Sequence, residues 1–201
     1  MNVLCVYAHP NEKSFNRAIL DTMSAAFSQR GDSVKIKDLY AEEFSPILTA
    51  SQLAAINEGQ VPQDVCDEQA LIHWADTLVF IYPLWWFDRP AILKGWFDRV
   101  FTNGFAFEYD NQGVKGLLAE KRAVVVVTAG GAEEDFHRNT SAFLNRSNDV
   151  ASELTRATTE GTLAFCGVTE ITDRVYYAIP MLEDVDRAAI LTELEQLVAE
   201  L

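Results

Sequence analysis

Three short stretches carry residues that could do chemistry: "AHPNEKSFN" (8–16), "PLWWF" (83–87) and "TAGG" (128–131). In the first, Ser14, Phe15 and Asn16 sit where a helix would begin, and the free N–H groups and dipole of a helix start favour a phosphate. Ser14 and Asn16 add side-chain donors, and His9 adds a third contact, charge-assisted if protonated. Taken alone, Ser14 is as well explained as an N-cap and His9 as a turn residue. In the second stretch, Trp85, Trp86 and Phe87 follow one another directly, and three adjacent large rings past a strand end need a cover: a flat ligand, unless they are core or dimer interface. In the third, Gly130 and Gly131 let the backbone approach a ligand and turn N–H groups toward negative charge, although a lone Gly-Gly is most often a turn. An anion site, aromatic walls and open backbone together outline a flavin, a flat ring with a phosphate tail.

Elements must bring these stretches together. "VLCVY" (3–7), "ADTLVFIYP" (75–83) and "RAVVVVT" (122–128) are continuous apolar runs that read as strands buried on both faces, and each ends at one of the three stretches. "SVKIKDL" (33–39) and "EITDRVYYA" (170–178) complete five strands. Between them, Phe15, Ile19, Met23 and Phe27 form a helical stripe capped by Ser14 and stopped at Gly31. A second helix starts at Pro90, a third lies within roughly 140 to 158, and Ile190, Leu194 and Leu197 mark a last one. Residues 41 to 70 read as a long surface excursion with a modest helical pattern around "ASQLAAINEG". This alternation predicts one α/β domain over residues 1–201, a doubly wound five-stranded parallel sheet in the flavodoxin-like order 2-1-3-4-5, with helices on both faces. Ligands of such sheets sit beyond the carboxyl ends of the strands, where the strand order switches.

Composition narrows the partners. Thirty acidic residues against sixteen basic ones give a formal charge of -14 with no basic run, which argues against nucleic acid and anionic membranes. Cys5, Cys66 and Cys166 are scattered without a C-x-x-C, so neither a disulfide framework nor a thiolate metal site is expected. The first strand begins within two residues of Met1 and no apolar run approaches the roughly 18 residues of a membrane span. A cytoplasmic protein without membrane insertion is expected.

"YAHPNEKSFN", "YPLWWFDRPAILKGWFDRVF", "GFAF" and "TAGG", in this order, resemble the NAD(P)H:quinone oxidoreductases of the flavodoxin-like fold, the DT-diaphorases and their shorter bacterial relatives. The resemblance runs from Val3 to about Gly131 and resumes at "TLAFCG". It implies a homodimer with a tightly bound flavin at each subunit interface. His9, Ser14, Phe15 and Asn16 would contact the pyrophosphate of FAD, with FMN as the other option. Pro83, Leu84, Trp85, Trp86 and Phe87 would lie along the isoalloxazine, and Thr128, Ala129, Gly130 and Gly131 at its polar edge. NAD(P)H would give a hydride to flavin N5 and leave, and a quinone, or a nitro or azo compound, would then receive it in ping-pong order.

Departures from that pattern define what is open. The larger relatives carry a Tyr and then a His after the Gly-Gly; here the Tyr position is Phe136, leaving His137 as the catalytic candidate and Asn148 as its rival. Where some relatives bind a structural zinc, this chain has Glu160 and Ala164, so no metal is expected. Two other readings stand beside the reductase: an ancillary regulatory subunit of a potassium efflux transporter, and a one-electron carrier like flavodoxin. Against the carrier, the hydroxyl-rich phosphate loop of flavodoxins is missing.

Overall fold

Five strands pair side by side in the order β2-β1-β3-β6-β7, and every neighbouring pair is parallel. The computed structural model describes residues 1–140 and 150–201. Its elements are β1 (Asn2–Tyr7), α1 (Phe15–Gln29), β2 (Ser33–Asp38), α2 (Ala50–Asn57), α3 (Gln63–Trp74), β3 (Thr77–Pro83), α4 (Ala91–Val100), β4 (Phe107–Asp110), β5 (Gly113–Gly116), β6 (Arg122–Thr128), α5 (Glu133–Thr140), α6 (Val150–Thr158), β7 (Glu170–Tyr176) and α7 (Asp184–Glu200). A π-helical turn (Thr159–Ala164) follows α6, and a 3₁₀ turn (Ile179–Met181) follows β7. Numbered among themselves, the sheet strands run 2-1-3-4-5, as the sequence predicts.

The apolar runs are continuous because alternate residues serve two cores. Leu4, Val6, Leu78, Phe80, Val125 and Val127 pack on one face with α3, α4 and the π turn, through Ile72, Trp96, Phe97 and Leu163. Val3, Cys5, Val79, Ile81, Val124 and Val126 pack on the other with α1 and α7, through Ile19, Met23, Phe27, Leu194 and Leu197. A strand's side chains alternate between faces, so a central strand covered on both sides has no polar positions to spare.

Residues 41 to 70 are more than a surface excursion. α3 packs Ile72 into the core on the sheet, and besides Val65 it buries Glu68, whose carboxylate accepts from Trp96 Nε1 at 2.9 Å and pairs with Lys37. Segment 44–46 lies across α4: Arg99 donates to the Ser45 carbonyl at 2.8 Å and to Asp64 at 2.6 Å, and its guanidinium sits 5.2 Å over the Phe44 ring. Polar and small residues hid this packing, because buried ion pairs leave no apolar stripe. Pro90 is the N-cap of α4 rather than its first residue, a position where its missing N–H is equally harmless. The helix expected within 140 to 158 is α6, preceded by α5, with 141–149 outside the described residues. β7 stops at Tyr176, two residues early, because Ala178 turns the chain at φ 54. The hairpin β4–β5 was not foreseen. No described helix is long and apolar enough to cross a membrane.

The contact between α4 and segment 44–46 is tight enough to test. A Cβ at Gly95 would lie 2.1 Å from the Pro46 carbonyl oxygen, and neither backbone can yield cheaply. Gly95→Ala is expected to lower stability by about 1–3 kcal/mol, the range for overpacking, read as a fall in denaturant midpoint at unchanged slope. An unchanged midpoint would mean that α4 is not held against this segment.

Candidate functional site

Tyr7 pairs with Ile81 and Pro83 with Thr128, so the carboxyl ends of β1, β3 and β6 lie side by side. The loops leaving them open a cleft of about 260 Å³. His9, Ser14, Phe15 and Asn16 line it from the first loop, Pro83, Leu84 and Trp85 from the second, Thr128, Ala129 and Gly130 from the third. Ile179 and Pro180, after β7, complete the lining.

Asn11 organises the first loop. Its side-chain oxygen accepts from Lys13 N at 2.9 Å, its carbonyl accepts from Ser14 N at 3.0 Å, and its own N–H donates to His9 Nδ1 at 3.0 Å. With Nδ1 occupied as an acceptor, neutral His9 carries its proton on Nε2. Burial lowers the His9 pKa from its ordinary 6.5, so the neutral donor form dominates near pH 7. Ser14 caps α1 and is also poised to donate. Its Oγ accepts from Arg17 N at 3.2 Å and lies 3.1 Å from the Tyr7 hydroxyl. Burial raises the Tyr7 pKa, so Tyr7 keeps its proton, and either hydroxyl can be the donor in this pair. With Tyr7 as the donor, both acceptor positions of Ser14 are filled and its own hydrogen is free for an anion in the cleft. The N-cap and phosphate-donor readings of Ser14 are therefore compatible. Asn16 is buried, and its amide donates to Thr128 Oγ at 2.7 Å, tying the first loop to the third. The other amide atom of Asn16 is buried with no partner. Because the Thr128 hydroxyl can accept or donate, the amide can present either its oxygen or its NH₂ group to a ligand.

The second loop is a tight turn. Trp85 N donates to Asp88 O at 2.9 Å and Asp88 N to Trp85 O at 3.1 Å, leaving Trp86 and Phe87 at its tip with φ of 51° and 63°. That is the mirror-image turn normally built from Asn and Gly. Bulky residues in this region cost of order 1–3 kcal/mol each. Trp86 is 96% exposed, Phe87 53% and Trp85 41%. Trp85 leans on His9 with ring centroids 6.0 Å apart, while Phe87 meets Phe136 edge-on at 5.8 Å.

The third loop is held from outside. Ala129 N donates to Tyr176 O, Ala178 N to Gly131 O, and Ile179 N to Ala129 O, at 2.8 to 3.1 Å. Neither Gly130 nor Gly131 takes positive φ. A Cβ at Gly130 would meet no protein atom within 4 Å, so nothing in the chain itself demands glycine there. A ligand lying against the backbone would. At Gly131 a Cβ would come within 3.3 Å of the Phe136 ring, so this glycine serves packing.

Ten of the thirteen sequence-derived binding residues thus line one cleft. Trp86, Phe87 and Gly131 are not part of its lining. Ile179 and Pro180 were missed, since only the close of β7 onto the third loop brings them in, and Asn11 was missed because its role is in the turn. The His137 side chain and Asn148 lie outside the described residues. Burial pushes the Cys5 thiol to about 12 and Cys166 to about 11, so neither is a thiolate near neutrality. The donors, the orphaned amide atom, the uncovered rings and the open flank of Gly130 fit a flavin.

The model of a family described as having a flavodoxin-like fold matches residues 1–201. An uncharacterized NAD(P)H oxidoreductase of Haemophilus influenzae is 33% identical over 192 residues, 95% of this chain and 91% of its own. NAD(P)H dehydrogenase (quinone) 1 of Cavia porcellus is 34% identical over 193 residues, covering 88% of this chain and 68% of its own. The solved NAD(P)H:quinone oxidoreductase of Methanothermobacter marburgensis superposes with a TM-score of 0.82 at 34% identity, over 98% of this chain and 95% of that one.

His9 offers a check on the first loop. Its lowered pKa means the folded chain binds this proton less readily than the unfolded one, whose value is near 6.5. The stability it contributes is full above that value and is lost as pH falls from 6.5 to the lower folded pKa. In flavin-free protein, ¹⁵N NMR should find the Nε2–H tautomer at pH 7 and a midpoint below 6.5; a midpoint at or above 6.5 would contradict the described turn.

Proposed function

The chain belongs to the NAD(P)H:quinone oxidoreductases of the flavodoxin-like fold family, and from that premise we propose that this flavoprotein moves a hydride from NAD(P)H to a quinone across one open face of FAD. The observation that carries this reading is the convergence of phosphate donors, an aromatic turn and an unencumbered backbone on a single cleft. When bound, the flavin supplies hydride acceptance and release at N5. The chain supplies binding, orientation and exclusion of water.

Ser14, Asn16, His9 and the backbone N–H groups of Phe15 and Asn16 at the start of α1 would hold the phosphates, the Arg17 N–H being taken by Ser14. Three side chains around one helix start suit a pyrophosphate better than a single phosphate, which favours FAD over FMN. Leu84 and Trp85 would flank the ring, with Trp86 and Phe87 beside it. The N–H groups of the Ala129–Gly130 segment would face the polar edge, where negative charge gathers on reduction. Phe136 brings no hydroxyl to this edge, so His137 is the proposed group for balancing that charge. A face open enough for both substrates in turn also suits nitro and azo compounds.

The same rings support a homodimer. Burying a fully exposed large apolar side chain gains roughly 1.5–3 kcal/mol, comparable with the strain of about 1–3 kcal/mol at each residue of the turn that displays these rings. A second copy lying over Trp86 and Phe87 would supply that burial and close the site.

Acid treatment of the purified protein should release FAD, and initial rates with NADH or NADPH against a quinone should give parallel double-reciprocal lines. Intersecting lines would mean that both substrates bind together, against a shared face, and recovery of FMN would remove the pyrophosphate assignment.

A further inference from the structure

Arg89 occupies an unusual place. It follows the aromatic turn directly, precedes Pro90 and α4, and its side chain is 6% exposed. Among the described residues the guanidinium has no carboxylate within hydrogen-bond distance; an Asp88 oxygen lies 3.8 Å from Nε. Instead Nη1 is given to three neutral oxygens at the junction of α6 and the π turn: the Ala157 carbonyl at 3.1 Å, Thr158 Oγ at 3.0 Å and Thr162 Oγ at 3.3 Å. Nε is buried without a hydrogen bond, and the group lies 4.8 Å over the Phe97 ring.

As a stabilising device this is poor. A buried cation hydrogen-bonded only to neutral acceptors, with its ion-pair oxygen as far as 3.8 Å, recovers little beyond its desolvation cost. What the arrangement supplies is position. Thr158 Oγ is also 2.8 Å from the Tyr82 hydroxyl, and Tyr82 lies on β3 just before the turn. A closed ring results, from the end of β3 through residues 85–88 to Arg89, on to Thr158 and back to Tyr82. At its other end the turn is held by Leu84 N on the Thr128 carbonyl at 2.7 Å, and Asp88 Oδ1 accepts from Arg89 N at 2.7 Å. Pro90 also restricts the backbone of the residue before it to extended conformations. Two bulky residues at positive φ persist only where their surroundings over-determine them.

We propose that Arg89 is a positioning residue: by clamping the end of the turn to α6 and the π turn, it holds Trp86 and Phe87 in their strained, ring-out conformation. The inference rests on the reading of this turn as part of the flavin site.

The test uses the holoprotein with Arg89→Met, Arg89→Lys and Trp86→Ala, reading flavin affinity, the visible circular dichroism of the bound flavin, melting temperature, and KM and kcat for the quinone. Arg89→Met is expected to weaken flavin binding by about ten-fold, raise the quinone KM several-fold with kcat within about two-fold, and alter the visible dichroism. Lysine keeps the charge but lacks the planar fork, so Arg89→Lys should move the same readings the same way, by as much or less. If Trp86→Ala changes affinity and dichroism while Arg89→Met lowers only the melting temperature, Arg89 serves packing alone and the inference is overturned. If Trp86→Ala changes neither, the reading of the turn fails and the inference with it. Should Arg89→Met not accumulate folded, Arg89→Lys decides: unaltered dichroism and KM overturn the clamp.

Discussion

Val3 to Tyr7 pair with Thr77 to Ile81, and Thr77 to Pro83 pair with Arg122 to Thr128, all in parallel and without a break. This matched register is the constraint on which everything in the cleft depends. It sets the three loop starts side by side at one sheet edge, and it sends α1 to one face and α4 to the other, so a crevice must open between them. A slip of one residue in β3 would turn Leu78 and Phe80 out of one core and Val79 and Ile81 out of the other. Two filled cores therefore hold the geometry of the site, which explains how loops without regular structure can present donors at hydrogen-bonding distances.

Each loop is fixed by a different device. The first uses Asn11 and Ser14 as local caps, with the Tyr7 hydroxyl arriving from the strand. The third is pinned by the backbone beyond β7. The second carries the strain: it displays two rings at positive φ, in a turn that Asn and Gly would form at no cost, and it is clamped at both ends. Conformational energy is spent where rings must face outward, and the Asn16 amide on Thr128 ties the first loop to the third, so that a ligand would meet one prearranged surface.

Much of this was legible in the sequence. Three buried apolar strands flanked by two alternating ones, their order, and the three stretches at the ends of the buried three follow from periodicity and from the topology of parallel sheets. The resemblance to the quinone oxidoreductases rests on those same stretches. What could not be read is what only tertiary structure creates. Ile179 and Pro180 reach the cleft because Ala178 turns the chain back onto the third loop. α3 hides its contact in the Glu68, Lys37 and Trp96 cluster, where polar residues mask burial. Arg89 reads in sequence as an ordinary surface charge before a proline; its burial depends on three oxygens about seventy residues away. The two glycines of "TAGG" look alike, yet a Cβ on Gly131 would crowd the Phe136 ring and one on Gly130 would meet no protein atom.

In the proposed function this one cleft holds a flavin that a pyridine nucleotide reduces and a quinone reoxidises. The direct measurement is the visible absorption of the purified protein under anaerobic conditions, first on adding NADH or NADPH and then on adding a quinone. The account predicts flavin bands that bleach with the nucleotide and return in full with the quinone. A protein that takes up neither FAD nor FMN, or whose bands do not respond to either nucleotide, would contradict it.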